Sequence, residues 1–171
     1  MTDRPTTTAE PAFDRPAIPP EYGVSKASDF VRWAHVEERL AKDRVYWIVT
    51  AGADGRPRAR PVDGMYVDGV IYVGGSEETR WIRDLVANPH VSVHLDGVVD
   101  VVIIEGEAEV LQGTSDELAE QLAAASNAKF PEYGMTADSF RGPGPVAIRP
   151  RKVVAWTDFT KDPTRFRFER P

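Results

Sequence analysis

The sequence contains no cysteine among its 171 residues. It therefore offers no disulfide framework, no thiolate nucleophile, no iron–sulfur cluster and no cysteine-rich zinc site. It also has no run of about eighteen apolar residues, which a membrane-spanning helix needs, and its first residues lack the apolar segment of a signal peptide. These absences predict a cytoplasmic protein without a membrane span, in which any redox chemistry depends on a bound cofactor.

Positive charges are outnumbered by negative ones, and histidine is scarce. The chain carries 21 Lys and Arg against 27 Asp and Glu, a formal net charge of −6, which argues against general binding to nucleic acid or to an anionic membrane. His90 and His94 lie on a predicted strand about 13 Å apart, too far to share one ion, so the sequence predicts no metal site. Apolar residues make up 42% of the chain, a value typical of a globular domain.

Proline marks the N-terminal segment. Residues 1–24 hold five prolines and few apolar side chains, a composition that does not repay the entropy of ordering. We therefore predict a flexible or draped arm over residues 1–24 and one folded domain over residues 25–171. That domain opens with a helix that is capped by Ser25 or Ser28 and runs to about Lys42, because apolar residues recur there every three or four positions.

Short β-branched and aromatic runs between Asp-Gly turns predict strands joined as a meander. The candidate strand segments are residues 44–51, 58–66, 70–73, 91–95, 98–104, 146–148, 153–157 and 165–169. The fifth extends to residue 110 if Gly106 is a bulge or close-approach site, and the last alternates like an exposed edge strand. Further helices are predicted over residues 77–86 and 115–128, the second capped by Ser115, with loop over residues 129–145.

Six or seven antiparallel strands with about three helices between them indicate a mainly β (α+β) protein. A sheet of that size closes or splits to hide its edges, which predicts a Greek-key β-barrel with peripheral helices. A doubly wound parallel sheet needs a helix after nearly every strand and is disfavoured.

Arginines on the second predicted strand suggest an anion site. Arg58 and Arg60 leave one face of the strand about 6.6 Å apart, which fits either a solvated sheet face or a phosphate site. Ser76, Thr79 and Arg80 stand at the start of the helix that follows the third strand, where free N–H groups and the helix dipole favour an anion. Because the second and third strands of a meander are neighbours, we predict that Arg60 and Arg80 converge on one phosphate.

Two further groups have both a structural and a functional interpretation. The tripeptide that begins at Gly74 is either a plain strand-to-helix turn or a point where a ligand approaches the backbone closely. Trp156, Arg165 and Arg167 fit an edge strand anchored by a core tryptophan, or an aromatic ring and a cation presented to a planar anionic ligand.

Five stretches carry a family resemblance: residues 47–62, 71–95, 105–111, 128–134 and 153–168. In this order they resemble the pyridoxamine 5′-phosphate oxidase-like superfamily, flavin-binding split β-barrels that include FMN enzymes and deazaflavin-dependent reductases. The resemblance implies a split barrel in a homodimer, with two cofactors at the interface. The implied cofactor-binding residues are Arg58, Arg60, Pro61, Val62, Gly74, Ser76, Thr79, Arg80, Trp156 and Arg167.

Within that set, the resemblance assigns different parts of the cofactor to different residues. The ring lies along the second strand, and the phosphate is held by Arg60 with Thr79 and Arg80. The C-terminal Trp156 and Arg167 reach the partner's flavin. This sequence departs from the family at Trp81, where a lysine is usual, and at Asp84, where an asparagine is common.

The resemblance implies an oxidoreductase that passes a hydride from a reduced flavin or deazaflavin to a small organic acceptor. The cofactor is FMN or the deazaflavin coenzyme F-420, and no catalytic residue is assigned, because the cofactor carries the chemistry. The Arg-Leu-His-x-Arg motif that reads vitamin B6 is lacking, so oxidation of that substrate is not expected. The alternatives are a non-catalytic carrier of flavin, haem or a lipophile, and a structural dimerisation domain.

Overall fold

The computed structural model describes residues 10–24 and 29–169. Its strands are β1 (Ala12–Asp14), β2 (Val45–Ala51), β3 (Pro57–Val67), β4 (Val70–Val73), β5 (His90–Leu95), β6 (Val101–Val110), β7 (Val146–Trp156) and β8 (Thr164–Arg167). Its α-helices are α1 (Trp33–Lys42), α2 (Arg80–Ala87), α3 (Asp116–Lys129) and α4 (Asp138–Arg141), and 3-10 turns lie at Pro20–Tyr22 and Pro131–Tyr133. None of the helices in these ranges is long and apolar enough to cross a membrane.

The strands form one antiparallel sheet that closes on itself. Its order is β1-β8-β7-β4-β3-β2-β5-β6, and β6 also pairs with β7, so the six strands from β7 to β6 form a barrel. Strands β8 and β1 extend the sheet beyond β7. This architecture confirms the predicted antiparallel split barrel with peripheral helices, although the described residues form eight strands rather than six or seven.

Alternation of buried and outward-facing side chains along each strand explains why these segments form a barrel. Along β2, Tyr46, Ile48 and Thr50 are buried inside it, whereas Trp47 and Val49 lie half-buried on the outer face. Inward-facing aliphatic side chains of the other barrel strands complete one core. The outer face of β2 and β3 is therefore left partly apolar.

The helices bury apolar stripes against the barrel. Helix α2 packs Trp81, Ile82 and Leu85 into the same core as the inward-facing strand residues. Helix α3 lies on β3 and forms a second apolar cluster outside the barrel, which includes Met65 and Leu122. As predicted, the Ser115 hydroxyl caps α3, by accepting a hydrogen bond from the Leu118 N–H at 3.2 Å.

A buried cation ties two helices to the barrel. The Lys129 ammonium, at the end of α3, donates to the carbonyls of Leu40, Gly64 and Asp43 at 2.7, 2.8 and 2.9 Å and to the Tyr46 hydroxyl at 3.1 Å. Burial lowers the pKa of Lys129 to about 8. These bonds hold the C-terminal ends of α1 and α3 against β3.

The β6–β7 pair corrects one prediction and confirms another. Strand β7 runs without interruption through Pro150, where two strands separated by a gap were predicted. The register of the pair shifts between Glu105 and Gly106, and this bulge accommodates a proline that cannot donate a ladder hydrogen bond. The predicted close approach at Gly106 is confirmed, because a Cβ there would lie 2.6 Å from the Arg149 carbonyl oxygen.

The C-terminal strand also departs from prediction. Part of the predicted arm forms β1, which pairs with β8, so β8 is not the exposed edge strand that was predicted. Asp14 fixes this pairing, since its carboxylate accepts from Arg165 Nε at 2.7 Å and lies 2.9 Å from Arg167 Nη1. The hydrogen bond from Arg165 lowers the pKa of Asp14.

Helix boundaries differ for local reasons. Helix α2 begins at Arg80 rather than at residue 77, because the N–H and the hydroxyl of Thr79 both bond to the Ser76 carbonyl and form a turn before the helix. The predicted caps at Ser25 and Ser28 lie outside the described residues, and α1 begins at Trp33. Residues 129–145, predicted as loop, contain a 3-10 turn and α4.

Candidate functional site

Three arginines meet where the turn between β2 and β3 approaches the start of α2. Arg58 and Arg60 leave the same face of β3, because they are two residues apart on one strand. Arg80 is the first residue of α2, and the α2 carboxylate of Asp84 stands one turn further on. All three guanidinium groups lie within electrostatic range of Asp84.

Asp84 is the buried centre of this arginine cluster. Its carboxylate is 5% exposed and accepts hydrogen bonds at 3.2 Å from Arg58 Nη1 and from Arg80 Nε. Gly52 lies directly against it, since a Cβ on residue 52 would stand 2.5 Å from Asp84 Oδ1. The absence of a side chain at residue 52 makes room for the carboxylate.

A second carboxylate, Asp54, closes the cluster on its solvent side. Arg58 Nη2 donates to Asp54 at 2.9 Å, and Arg80 Nη2 lies 3.9 Å from the same oxygen. The hydrogen bond from Arg58 lowers the pKa of Asp54, and the hydrogen bond to Asp54 raises the pKa of Arg58. Arg58 therefore bridges two carboxylates, and Arg80 contacts both.

Arg60 has different partners. Its Nη1 donates to the hydroxyl of the buried Thr50 at 3.3 Å, and its guanidinium lies 5.4 Å from the centre of the Trp81 ring. Burial lowers the pKa of Arg60, an effect that the charge of Asp84 partly offsets. Of the three arginines, Arg60 is the one with no carboxylate within ion-pair distance among the described residues. Its charge is therefore available to an external anion.

The start of α2 adds backbone donors beside this arginine. Thr79 stands at the N-cap but its hydroxyl donates to the Ser76 carbonyl at 2.6 Å, so it does not cap the first turn. The Ser76 hydroxyl accepts from the Glu78 N–H at 3.3 Å. The first N–H groups of the helix thus have no side-chain cap, an arrangement that suits an anion.

The Gly-Gly-Ser turn lies close to the protein itself. A Cβ at Gly75 would stand 2.7 Å from atoms of both Trp81 and Ile82, so the close approach at this turn is to the packed face of α2. Gly74 lines a small apolar cavity of about 140 Å³ together with Met65 and Phe140. The structure thus places Gly74 on the α3 side of the turn.

The outer face of β3 is where a cofactor ring was predicted. Pro61 is exposed and pairs with Trp47 of β2, so these two present an apolar surface. Val62 has the opposite orientation and packs against the barrel core. A ring on the Pro61 face would therefore meet residue 62 through its backbone only.

A groove runs over the neighbouring strands. It measures about 510 Å³ and is lined by β2, β5, β6 and β7, including Val49, His90, Gly106 and Arg151. Thr50 belongs both to this lining and to the Arg60 contact. The groove and the arginine cluster are therefore adjacent.

The C-terminal candidates lie elsewhere within the chain. Trp156 ends β7 opposite Val101 and contacts Phe159 edge-on, with ring centres 5.3 Å apart. Arg167 pairs with Asp14 on the extension formed by β8 and β1. Within the described chain, these contacts are separate from the arginine cluster.

In residues 10–24 and 29–169, no group of three or more His, Asp or Glu is arranged to hold a metal ion.

Sequence reasoning missed the carboxylates and the hydroxyl that organise this site. The signal for Asp84 was present, because it stands four residues after Arg80, the spacing of an ion pair on one helix face. Thr50 and Gly52 gave no such signal, since Thr50 meets Arg60 through the pairing of β2 with β3, and Gly52 meets Asp84 where the turn packs against α2.

The sequence matches a known family over most of its length. A profile of the family described as pyridoxamine 5′-phosphate oxidase matches residues 33–157. No curated protein matches the chain.

Solved structures show the same fold at low identity. A conserved hypothetical protein from Mycobacterium tuberculosis is 19% identical, with a TM-score of 0.61 over 78% of this chain and 89% of that one. HutZ, described as a haem storage protein from Vibrio cholerae, is 18% identical, with a TM-score of 0.55 over 70% and 89% of the two chains. A protein described as an F-420 reductase is 15% identical, with a TM-score of 0.53 over 68% and 94%.

Proposed function

This chain belongs to the pyridoxamine 5′-phosphate oxidase family, and on that premise we propose that it is an oxidoreductase that uses a flavin or a deazaflavin. The observation that carries the proposal is Arg60, a partly buried guanidinium with no carboxylate partner among the described residues. It stands beside the uncapped start of α2, so two independent elements favour a bound phosphate at one place.

The residues present fit the phosphate of either FMN or coenzyme F-420. Arg60 would bind it, with Thr50 fixing one edge of the guanidinium and Trp81 supporting its face. Ser76, Thr79 and Arg80 would surround it from the α2 side. When bound, the reduced cofactor supplies a hydride, and the protein orients the ring and excludes water.

We place the ring on the outer face of β3, over Pro61 and the backbone of Val62. Trp47 offers an apolar wall on the neighbouring strand. A second copy of the chain would cover this face and bring its own Trp156 and Arg167 to the cofactor. We therefore propose a cytoplasmic homodimer that acts on a small organic acceptor, with the folded domain over residues 25–171.

Anaerobic turnover tests this proposal. Purified protein is given reduced FMN or reduced coenzyme F-420 and a quinone or nitroaromatic acceptor, and oxidation of the cofactor is followed by absorbance. We expect protein-dependent oxidation with at least one cofactor, and a higher melting temperature in the presence of that cofactor. If the cofactor binds but is not oxidised with any acceptor of a panel, the result contradicts an enzymatic function and favours a non-catalytic carrier.

A haem carrier is the second candidate, because one observation favours it. His90 lines the 510 Å³ groove, where an imidazole and apolar strand residues face the same space. Titration with haemin distinguishes the two functions. A sharp Soret band that is lost in His90→Ala supports the carrier, whereas an unchanged haemin spectrum rejects it.

A further inference from the structure

Asp84 changes what the arginine cluster can bind. Three guanidinium groups, on Arg58, Arg60 and Arg80, face two carboxylates, on Asp54 and Asp84, so the cluster carries a net charge of +1. Asp84 is buried and hydrogen-bonded to two of the arginines. It therefore competes with any incoming anion for the same N–H donors.

The packing of α2 holds the Asp84 carboxylate in this position. Asp84 lies on α2, whose apolar face is locked into the barrel core, and Gly52 stands against its carboxylate. An incoming phosphate does not displace it without moving the helix. Trp81 supplies a ring face to Arg60 rather than a further positive charge. The cluster thus offers one uncompensated cation and a polar rim.

The number of charges on a phosphate depends on its esterification. A terminal phosphate monoester carries about −1.5 to −2 charges at pH 7, because its second pKa is near 6. A phosphodiester has no second proton to lose and carries one charge. The diester matches the charge of the cluster, whereas the monoester brings excess negative charge next to Asp84.

We infer that Asp84 is a specificity-determining residue, which makes this site favour a ligand with a phosphodiester over one with a terminal phosphate monoester. The identity of the attached ring rests on the proposed function. Of the two cofactors considered, FMN carries a monoester and coenzyme F-420 a diester, so the inference favours the deazaflavin.

A matched pair of ligands tests this directly. Riboflavin 5′-phosphate and its methyl ester share one ring and differ in the charge of the phosphate. Both are titrated at pH 8 against the full chain, Asp84→Asn and the control Asp116→Asn, with flavin fluorescence as the readout. Asp116→Asn removes the same unit charge from an exposed pair with Arg141, which is not in the cluster.

We expect the unmodified protein to bind the methyl ester at least as tightly as the monoester. In Asp84→Asn, the affinity for the monoester rises about tenfold and the preference reverses, because a charge-assisted hydrogen bond is worth at least that factor. Asp116→Asn follows the unmodified protein. Tighter binding of the monoester than of the methyl ester by the unmodified protein, or a ratio of the two affinities that Asp84→Asn leaves unchanged, overturns the inference.

Two further measurements keep the inference open to test. If Asp84→Asn does not fold, Asp54→Asn on the solvent side raises the cluster charge equally, and we expect the same direction of change in the two affinities.

If no flavin binds to any variant, the ring assignment of the proposed function is wrong. The NMR resonances of the arginine Nε–H groups then decide the inference. With inorganic phosphate at pH 8, we expect only Arg60 to shift in the unmodified protein and all three arginines to shift in Asp84→Asn. Equal shifts of all three in the unmodified protein overturn the inference.

Discussion

Gly64 faces the ring of Tyr46 in the barrel core, where a side chain has no room. A Cβ on residue 64 would lie 2.4 Å from the Tyr46 ring. The ring is held in place, because its hydroxyl donates to the Leu40 carbonyl and accepts from the Lys129 ammonium. Gly74, by contrast, has open space beside it, since a Cβ there would meet no atom within 4 Å beyond its own chain neighbours.

We therefore expect Gly64→Ala to lower the free energy of unfolding by about 1–3 kcal/mol, the range for overpacking a core. The matched control Gly74→Ala changes it by less than about 0.5 kcal/mol. Urea unfolding followed by tryptophan fluorescence measures both. Equal stability of the two variants contradicts the close approach between residue 64 and Tyr46.

Lys129 makes stability depend on pH in an identifiable direction. Burial lowers its pKa in the folded chain to about 8, against an ordinary value of 10.5. Between these values the unfolded chain binds more protons than the folded one, so this group raises stability as pH increases. Below pH 8 both states are protonated and the contribution is constant.

The expected gain from Lys129 is on the order of 1 kcal/mol between pH 8 and pH 9.5. Urea unfolding of the unmodified protein and of Lys129→Met across this window isolates it, since all other groups are shared. We expect the stability difference between the two proteins to change in favour of the unmodified one as pH rises. Parallel curves would mean that Lys129 titrates at its ordinary pKa.

At the scale of elements, β1 is the strand whose docking depends most visibly on charge. Asp14 binds Arg165 and Arg167 of β8, and Arg165 lowers the pKa of Asp14 in the folded chain. A carboxyl with a lowered folded pKa contributes stability above its unfolded pKa. That contribution is lost as pH falls through the folded value.

We expect the backbone amides of β1 to lose hydrogen-exchange protection between pH 5 and pH 3, while the barrel strands keep theirs. Asp14→Asn removes this pH dependence and lowers global stability by less than about 1 kcal/mol, because the pair is near the surface. Asp116→Asn, in another surface pair, serves as the control. Protection of β1 that is independent of pH in the unmodified protein contradicts this role for Asp14.

The contrast between β1 and the barrel strands shows what sequence patterns reveal. Strands β2 to β6 were predicted because alternation and Asp-Gly turns are local signals. Strand β1 has three residues near prolines, and its pairing with β8 joins segments at opposite ends of the chain. Likewise, β7 continues through Pro150 with a bulge at Arg151, which has no register partner in β6, and no local pattern reports this bulge.

The same distinction holds for the site. The sequence predicted that arginines of β3 and α2 come together, since the meander placed β3 and β4 side by side. It did not predict that Asp84 would pair with Arg58 and Arg80 and leave Arg60 without a carboxylate among the described residues. These pairings depend on the burial of Asp84 and on the position of Gly52 against its carboxylate, and both are properties of the tertiary structure.

At the scale of the whole molecule, the outer face of β2 and β3 is the surface on which the proposed homodimer depends. Ala59 and Pro61 are exposed there beside the half-buried Trp47 and Val49. We expect the unmodified protein to be a dimer by light scattering and Ala59→Glu to be a monomer. Val98→Glu, at a valine that is 92% exposed in the turn before β6, should remain a dimer. A monomeric unmodified protein would contradict the proposed dimer.

The assignment of the molecule to flavin-type chemistry depends on Arg60 as the phosphate ligand. The most direct measurement is the affinity of FMN, coenzyme F-420 and riboflavin for the unmodified protein, for Arg60→Ala and for Arg32→Ala, an exposed arginine at the start of α1. We expect Arg60→Ala to weaken at least one phosphorylated cofactor about tenfold or more and to leave riboflavin, which lacks the phosphate, unchanged. Arg32→Ala should match the unmodified protein. Cofactor affinity that is undiminished in Arg60→Ala would contradict the site.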